Sequence, residues 1–241
     1  MKYLTIDTTT KVSGVALAED GRLVAEGFLH TSKTHSERII PMLDQLFTAA
    51  AWTLQELDLI GVVRGPGSFT GIRIGIATAQ GLSQVLNIPL LGVVSLEALA
   101  WSCWGREEDI VPILDARKNE WYTARYRWAA GKEKAECLSA PQALSISECL
   151  EQLKMLNRPV CFVGDAAWKE KQQIKTVLGE QAVVLPDYQS LPRGAYAARA
   201  VWERWLEIGA GEQVEPYYIR CSEAEVNWAK KERARRGEEH E

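Results

Sequence analysis

The residues best placed to do chemistry lie in Arg64-Gly65-Pro66-Gly67-Ser68-Phe69-Thr70-Gly71-Ile72-Arg73-Ile74-Gly75. An apolar run, Leu59 to Val63, precedes this stretch and a helical pattern to Leu86 follows it, so it reads as a glycine-rich turn from strand to helix. Free N–H groups at a helix start attract phosphate. The spacing here is G-x-G-x-x-x-G, one residue longer than the dinucleotide fingerprint, and Ile72 stands where a phosphate-binding loop would carry lysine. The turn is therefore a weak phosphate motif or simply a tight entry into a closely packed helix. Metal chemistry has little to work with, since the only histidines are His30, His35 and His240. His30 and His35 miss the i, i+4 step that puts two imidazoles on one helix face. Ser68 sits in no G-x-S-x-G elbow, so a serine hydrolase would have to recruit a distant histidine.

These residues need a scaffold, and the chain supplies one in order. Lys2 to Asp7, Val12 to Ala18 and Arg22 to Leu29 read as strands, the last two joined by an Asp20-Gly21 hairpin turn. Thr34 and Glu37 form a capping box, and Ile39, Leu43, Leu46, Phe47 and Ala50 line one face of a helix to Ala51. Pro41 either kinks that helix or moves its start to Ile40. The helix after the glycine turn is rich in small residues (Gly71, Gly75, Ala77, Ala79, Gly81). Interior glycines cost roughly 1 kcal/mol each against alanine. Close packing on the sheet or on a partner would each offset that, and the residues leave both open. Asn87 and Pro89 end the helix before a strand at Leu90 to Val94. After a polar break near Gly105 to Glu108, Ile110 to Asp115 repeats the pattern of Leu4 to Asp7, and Trp121 to Trp128 follows as a strand. Helices are expected at 145–156, 168–178 and 195–208, and strands at 159–163 and 183–185. The division that follows is 1–105, 106–222 and a charged tail, 223–241. That tail carries Lys230-Lys231-Glu232-Arg233-Ala234-Arg235-Arg236, a solvated run or a contact for RNA phosphates.

Composition narrows the classes. The chain has 241 residues, 46% hydrophobic and 25% charged, enough for one large or two small units with a sizeable core. A net charge of −4 offers no basic field for unaided nucleic-acid binding. Five scattered cysteines without a C-x-x-C suggest neither zinc nor a disulfide framework and fit a reducing cytosol. No apolar run approaches the ~20 residues of a membrane span, and no secretory leader is recognisable, so a cytoplasmic protein is expected. The nine tryptophans read as packing residues.

The glycine turn, Gly65-Pro66-Gly67-Ser68-Phe69-Thr70-Gly71-Ile72-Arg73-Ile74-Gly75, resembles the signature of the TsaB family of tRNA threonylcarbamoyladenosine biosynthesis proteins. Leu4-Thr5-Ile6-Asp7-Thr8, Thr34-His35-Ser36-Glu37-Arg38 with Pro41-Met42-Leu43, Leu114-Asp115-Ala116-Arg117 with Glu120, Gly164-Asp165 and Pro216-Tyr217-Tyr218-Ile219-Arg220 extend the likeness over nearly the whole chain. The resemblance implies an α/β, actin-like, duplicated two-lobed fold with mixed sheets flanked by helices. In active relatives of that fold each phosphate loop pairs its aspartate with glycine, so backbone can approach phosphate. Here Asp7 is followed by Thr8-Thr9-Thr10, Asp115 by Ala116-Arg117-Lys118, and Gly164-Asp165 lacks repeated glycines. The expectation is a subunit without catalytic residues, cofactor or metal of its own. By resemblance its first lobe pairs with TsaD, the metal- and ATP-binding catalytic member, with TsaE in the larger set. A homodimer is expected when the chain is alone, with tRNA met through the complex, which by resemblance transfers a threonylcarbamoyl group to the adenosine beside the anticodon in tRNAs reading codons that begin with A. The expected interface is Ile39, Met42, Leu43 and Leu46 of the first helix and Ile72, Arg73, Ile76 and Gln80 of the second. The rivals are an active actin-like ATPase or kinase using Asp7, a glycopeptidase-type hydrolase, and a binding module with another partner.

Overall fold

A computed structural model describes residues 1–30, 34–128 and 135–220 of the chain. The tail, with its Lys230–Arg236 cluster, lies outside the described residues. Ten strands and eight helices run in the order β1 (Lys2–Asp7), β2 (Val12–Glu19), β3 (Arg22–His30), α1 (His35–Ala50), β4 (Leu59–Val63), α2 (Phe69–Leu86), β5 (Leu90–Val93), α3 (Ser95–Ala100), β6 (Asp109–Asp115), β7 (Glu120–Trp128), β8 (Ala135–Ser145), α4 (Ile146–Met155), β9 (Val160–Val163), α5 (Asp165–Lys169), α6 (Lys171–Leu178), β10 (Ala182–Val184), α7 (Asp187–Ser190) and α8 (Gly194–Ile208). A single 3-10 turn, Trp101–Cys103, continues α3.

The duplication suggested by the two aspartate-ended strands is written in the topology. The first sheet has the order β3-β2-β1-β4-β5, and the second, read from its other edge, has β8-β7-β6-β9-β10. In both, three antiparallel strands are followed by two parallel ones. The alternation of a pleated strand divides each sheet between two cores. Leu4, Ile6, Val15, Leu17, Ile60 and Val62 face α1 and α2, whereas Tyr3, Ala16, Leu59 and Val63 face α8. In the second sheet Val111, Ile113, Val160 and Phe162 meet α4, α5 and α6, and Ile110, Leu114, Cys161 and Val163 meet α3. Since α3 also touches α8, the layers run helix, sheet, helix, sheet, helix.

The chain does not partition as 1–105 and 106–222. Helix α8 returns to the first sheet, where Ala197, Ala198 and Val201 are fully or almost fully buried. Glu26 of β3 anchors it: its carboxylate accepts two bonds from Arg193 (3.3 and 2.5 Å) and one from the Ala195 N–H (3.0 Å) at the helix start, where negative charge is favoured. Residues 211–214 then run along β5, with the Glu212 N–H donating to Leu90 O at 2.9 Å and Val214 buried in the first core.

Other expectations hold with local changes. Asp20 and Gly21 have φ of 49° and 78° and close the hairpin in two residues. Helix α1 starts at His35 and passes through Pro41, whose solvent-facing position spares the core side of the helix. One expected helix over 168–178 is two, because a break at Glu170 lets both Ala166–Ala167 and Ile174–Leu178 reach the second core. Three of these elements have no sequence signal. Helix α3 has six residues and α7 four, too few to show a period, and β8 is a half-exposed edge strand with a proline in it, Pro141.

Asp109 opens β6 with only 1% of its side chain exposed. Arg127 grips it with two bonds (2.7 and 3.0 Å), and Arg125 and Arg158 approach within 3.8 and 3.7 Å. Removing one member of a buried pair costs about 3–5 kcal/mol, and the partly exposed Arg127 lowers that. Asp109→Ala is expected to lose about 2–3 kcal/mol in urea unfolding, and a loss within experimental error would show that these arginines do not hold this end of the central strands.

Candidate functional site

The sequence blocks that stood apart in the chain meet where the two lobes face each other. Asp7 and Asp115 end the central strands of the two sheets. The loop after Asp7 lies against the start of α2. The Ser68 N–H donates to Thr9 O at 2.6 Å, and the Thr8 hydroxyl donates to Gly71 O at 2.7 Å. A Cβ on Gly67 or Gly71 would come closer than 3.0 Å to the carbonyls of Thr9 or Thr8, and one on Gly75 would collide with the Thr8 hydroxyl. Gly81 has nothing within 4 Å. Both readings of the small residues are thus separable by position. Gly67, Gly71 and Gly75 serve backbone contact inside the chain, and Gly81 faces outward.

This packing decides what the turn can do with an anion. The Ser68 N–H is taken by Thr9, and Ser68 Oγ accepts the Gly71 N–H at 3.3 Å as the N-cap of α2. Asp7 is buried, and its Oδ1 accepts the Thr9 N–H (2.9 Å) and hydroxyl (2.7 Å). Burial pushes its carboxyl above the ordinary range, opposed by those two Thr9 bonds. The Ser68, Gly71 and Thr9 N–H groups and Asp7 Oδ1 are therefore engaged within the chain.

The second loop is different. Asp115 is exposed, accepts the Arg117 N–H at 2.7 Å and lies 3.5 Å from Lys169. Arg117, Lys118 and Asn119 have φ of 61°, 52° and 65°, three successive left-handed residues without a glycine. Each left-handed residue costs roughly 1–2 kcal/mol, and strain of this kind clusters at functional sites. Asp165, at the start of α5, accepts the Asp115 N–H at 3.1 Å. Burial pushes its carboxyl up, opposed first by the bond from the Asp115 N–H; the Asp115 charge adds to the rise, and Lys11 of the first lobe pulls the other way. Among the described residues no group of three or more His, Cys, Asp or Glu side chains gathers to hold a metal.

The remaining blocks close the arrangement. Tyr217 donates its N–H to Arg64 O (2.8 Å), Tyr218 stacks on Phe69 with centroids 4.5 Å apart, and Arg73 donates from Nε to the Tyr218 hydroxyl at 2.9 Å. Arg220 then pairs with Glu120 at the start of β7. The segment 216–220 is a strap from the first lobe to the second. His35 ties α1 to the Asp7 loop: Nδ1 accepts from the buried Ser13 hydroxyl (2.7 Å) and Nε2 donates to Thr10 O (2.8 Å). Ser13 and His35 were not paired by sequence spacing, since 22 residues separate them. Ser13 is fully buried, so the pair has no access to a substrate.

The expected interface divides. Ile39, Met42, Leu43, Leu46, Ile72 and Ile76 are buried in the first core, so their side chains face the sheet rather than a partner. The period that marks a helix face marks the buried face first. Arg73 and Gln80 are exposed, Gln80 also donating to Val214 O at 3.1 Å. Beside them on α2 lie the exposed Ala77, Gly81, Gln84 and Val85, and on α1 the exposed Ile40, Pro41, Asp44, Gln45 and Thr48.

Duplicated five-stranded sheets with an aspartate ending each central strand define an actin-like ATPase fold. The family model described as "TsaD: tRNA N6-adenosine threonylcarbamoyltransferase" matches residues 29–228. A tRNA threonylcarbamoyladenosine biosynthesis protein TsaB from Bacillus subtilis is 36% identical, with 95% of this chain and 98% of that protein covered. The TsaB of Escherichia coli K12 is 31% identical at the same coverages. Among solved structures, YeaZ from Pseudomonas aeruginosa superimposes with a TM-score of 0.70 at 25% identity, covering 90% of this chain and 99% of that one. The chain belongs to this TsaD-described family and, within it, to the TsaB proteins.

Two tests follow. Gly71→Ala is expected to cost about 3 kcal/mol or more, because backbone carbonyls cannot yield to the new methyl, whereas Gly81→Ala should gain about 0.5–1 kcal/mol. Equal effects at the two sites would overturn the division drawn between them. Burial, with the Arg38 guanidinium adding to it, pulls His35 below its ordinary value of 6.5. The unfolded chain then binds more protons than the folded one below that value, so stability is full above pH 6.5 and lost as pH falls beneath it. His35→Gln should flatten that slope in urea titrations, and an unchanged slope would assign it to other groups.

Proposed function

We propose that the chain works in tRNA threonylcarbamoyladenosine biosynthesis as a non-catalytic subunit that binds and activates a TsaD-type partner through the outward faces of α1 and α2. The observation that carries this reading is the pair of adjoining stripes on those helices. Ala77, Gly81 and Val85 (84% exposed) on α2, with Ile40 (59% exposed) on α1, give small and apolar residues at helical steps on the solvent side. Small residues let another helix approach closely, and exposed apolar groups lose water on contact. Arg73 and Gln80 of the original expectation border that stripe. The buried six support it from beneath, so Leu43→Arg would report on folding and not on docking. With the partner absent, the same face would pair two copies symmetrically. TsaE joins the larger set in this reading, and tRNA is met through the complex.

The first loop supports the subunit role, because Asp7 is buried and its Oδ1 is taken up by Thr9. A second reading, ATP binding or hydrolysis, has the strained second loop and the exposed Asp115 in its favour. Gly81→Arg and Val85→Arg are expected to keep the unfolding midpoint and weaken co-purification with the TsaD partner at least 10-fold, about 1.4 kcal/mol. Wild-type pull-down by both variants would move the interface elsewhere. Tight stoichiometric ATP binding by the isolated chain, lost in Asp115→Ala, would favour the second reading.

A further inference from the structure

Two thiols far apart in sequence meet beneath the junction of the lobes. Cys103 closes the 3-10 turn after α3, and Cys161 lies on β9 of the second sheet. Their sulfurs are 3.9 Å apart, and the residues are 1% and 0% exposed. The surroundings are not those of two inert packing residues. Ser102 Oγ lies 3.5 Å from Cys103 Sγ, and the Arg106 guanidinium, ion-paired to Glu108 at 2.7 Å, adds positive charge beside both sulfurs. The buried Arg106 Nε has no hydrogen-bond partner among the described residues. A thiolate is the nucleophilic form of cysteine, and neighbouring arginine favours it. The hydrogen bond from the Cys161 thiol, then Ser102 and Arg106, pull Cys103 down against its burial. Cys161 is pushed up by that same bond and by burial. The Ser102 hydroxyl beside Cys103 marks that sulfur as the nucleophile of the pair.

We propose that Cys103 and Cys161 form a redox modification site, in which hydrogen peroxide converts the dithiol to an intramolecular disulfide. Burial shuts out bulky oxidants and leaves a small uncharged peroxide as the class that fits. The Cys103 thiolate attacks one peroxide oxygen, the O–O bond breaks, and the products are a Cys103 sulfenic acid and hydroxide. The Cys161 sulfur then attacks the sulfenic sulfur. The S–S bond forms, the S–O bond breaks, and the Cys161 proton leaves with the displaced hydroxide as water. The two sulfurs together lose two electrons, which peroxide accepts. An S–S bond is about 2.05 Å long, so the sulfurs must close by roughly 1.9 Å. The bond would fix the interlobe turn to β9 and close a loop over β6, β7, β8 and α4.

The test uses the full chain with exposed Cys137 replaced, Cys137→Ser, so that surface oxidation does not intrude. After peroxide treatment, thiols are alkylated under denaturing conditions and the peptides mapped by mass spectrometry. A Cys103–Cys161 cross-linked peptide, with buried Cys149 still alkylated, is the expected result. Adding Cys161→Ala should stop the reaction at a sulfenic acid on Cys103 that a dimedone probe captures. Adding Cys103→Ala should leave Cys161 a free thiol. Circular dichroism on each variant checks that the fold persists. Alkylation of both Cys103 and Cys161 after peroxide that oxidises Cys137 in the unmodified chain would overturn the proposal, as would a cross-link through Cys149.

Discussion

The contact on which the rest of this structure leans is between two pieces of backbone. The carbonyls of Thr8 and Thr9 press against Gly67 and Gly71 with no room for a methyl group. That approach sets where α2 begins and hence which of its faces meets the sheet. It also engages the N–H of Ser68. That carbonyl takes the donor just ahead of the helix, and Ser68 Oγ takes the Gly71 N–H. One steric constraint thus links the packing of the first lobe to the chemistry available between the lobes.

The two halves of the duplication have diverged around the same topological position. In the first, the loop after the central strand is buried under α2, and its aspartate is satisfied locally. In the second, the corresponding loop is exposed and strained, with three left-handed non-glycine residues beside Asp115. The strap through Tyr217, Tyr218 and Arg220 bridges these unlike halves by stacking on one and ion-pairing with the other. The charge on Asp165 responds to residues of both lobes. The first loop is thus engaged locally, while the second keeps its strain.

Local signals in this chain were strong where physics is local. The Asp20-Gly21 turn, the Thr34–Glu37 cap, the Asn87 stop and the repeated aspartate-ended strands each follow from backbone preferences within a few residues, and each is present. The order of the sheets follows from them, because crossover connections leave few ways to join such strands. Strand β8 and helix α3 left no comparable mark, since this edge strand lacks alternation and a six-residue helix is too short to show a period.

What the sequence determined by itself was the fold class, the family likeness and the list of residues in the signature blocks. Only the tertiary structure decided what those residues do to one another. It turned Ile39, Leu43 and Ile72 inward, sent α8 back to the first sheet, and brought Ser13 to His35 and Cys103 to Cys161. The reason is physical: a period of 3.6 or 2 names a face but not the neighbour it meets, and contacts between residues tens of positions apart are set by packing of whole layers.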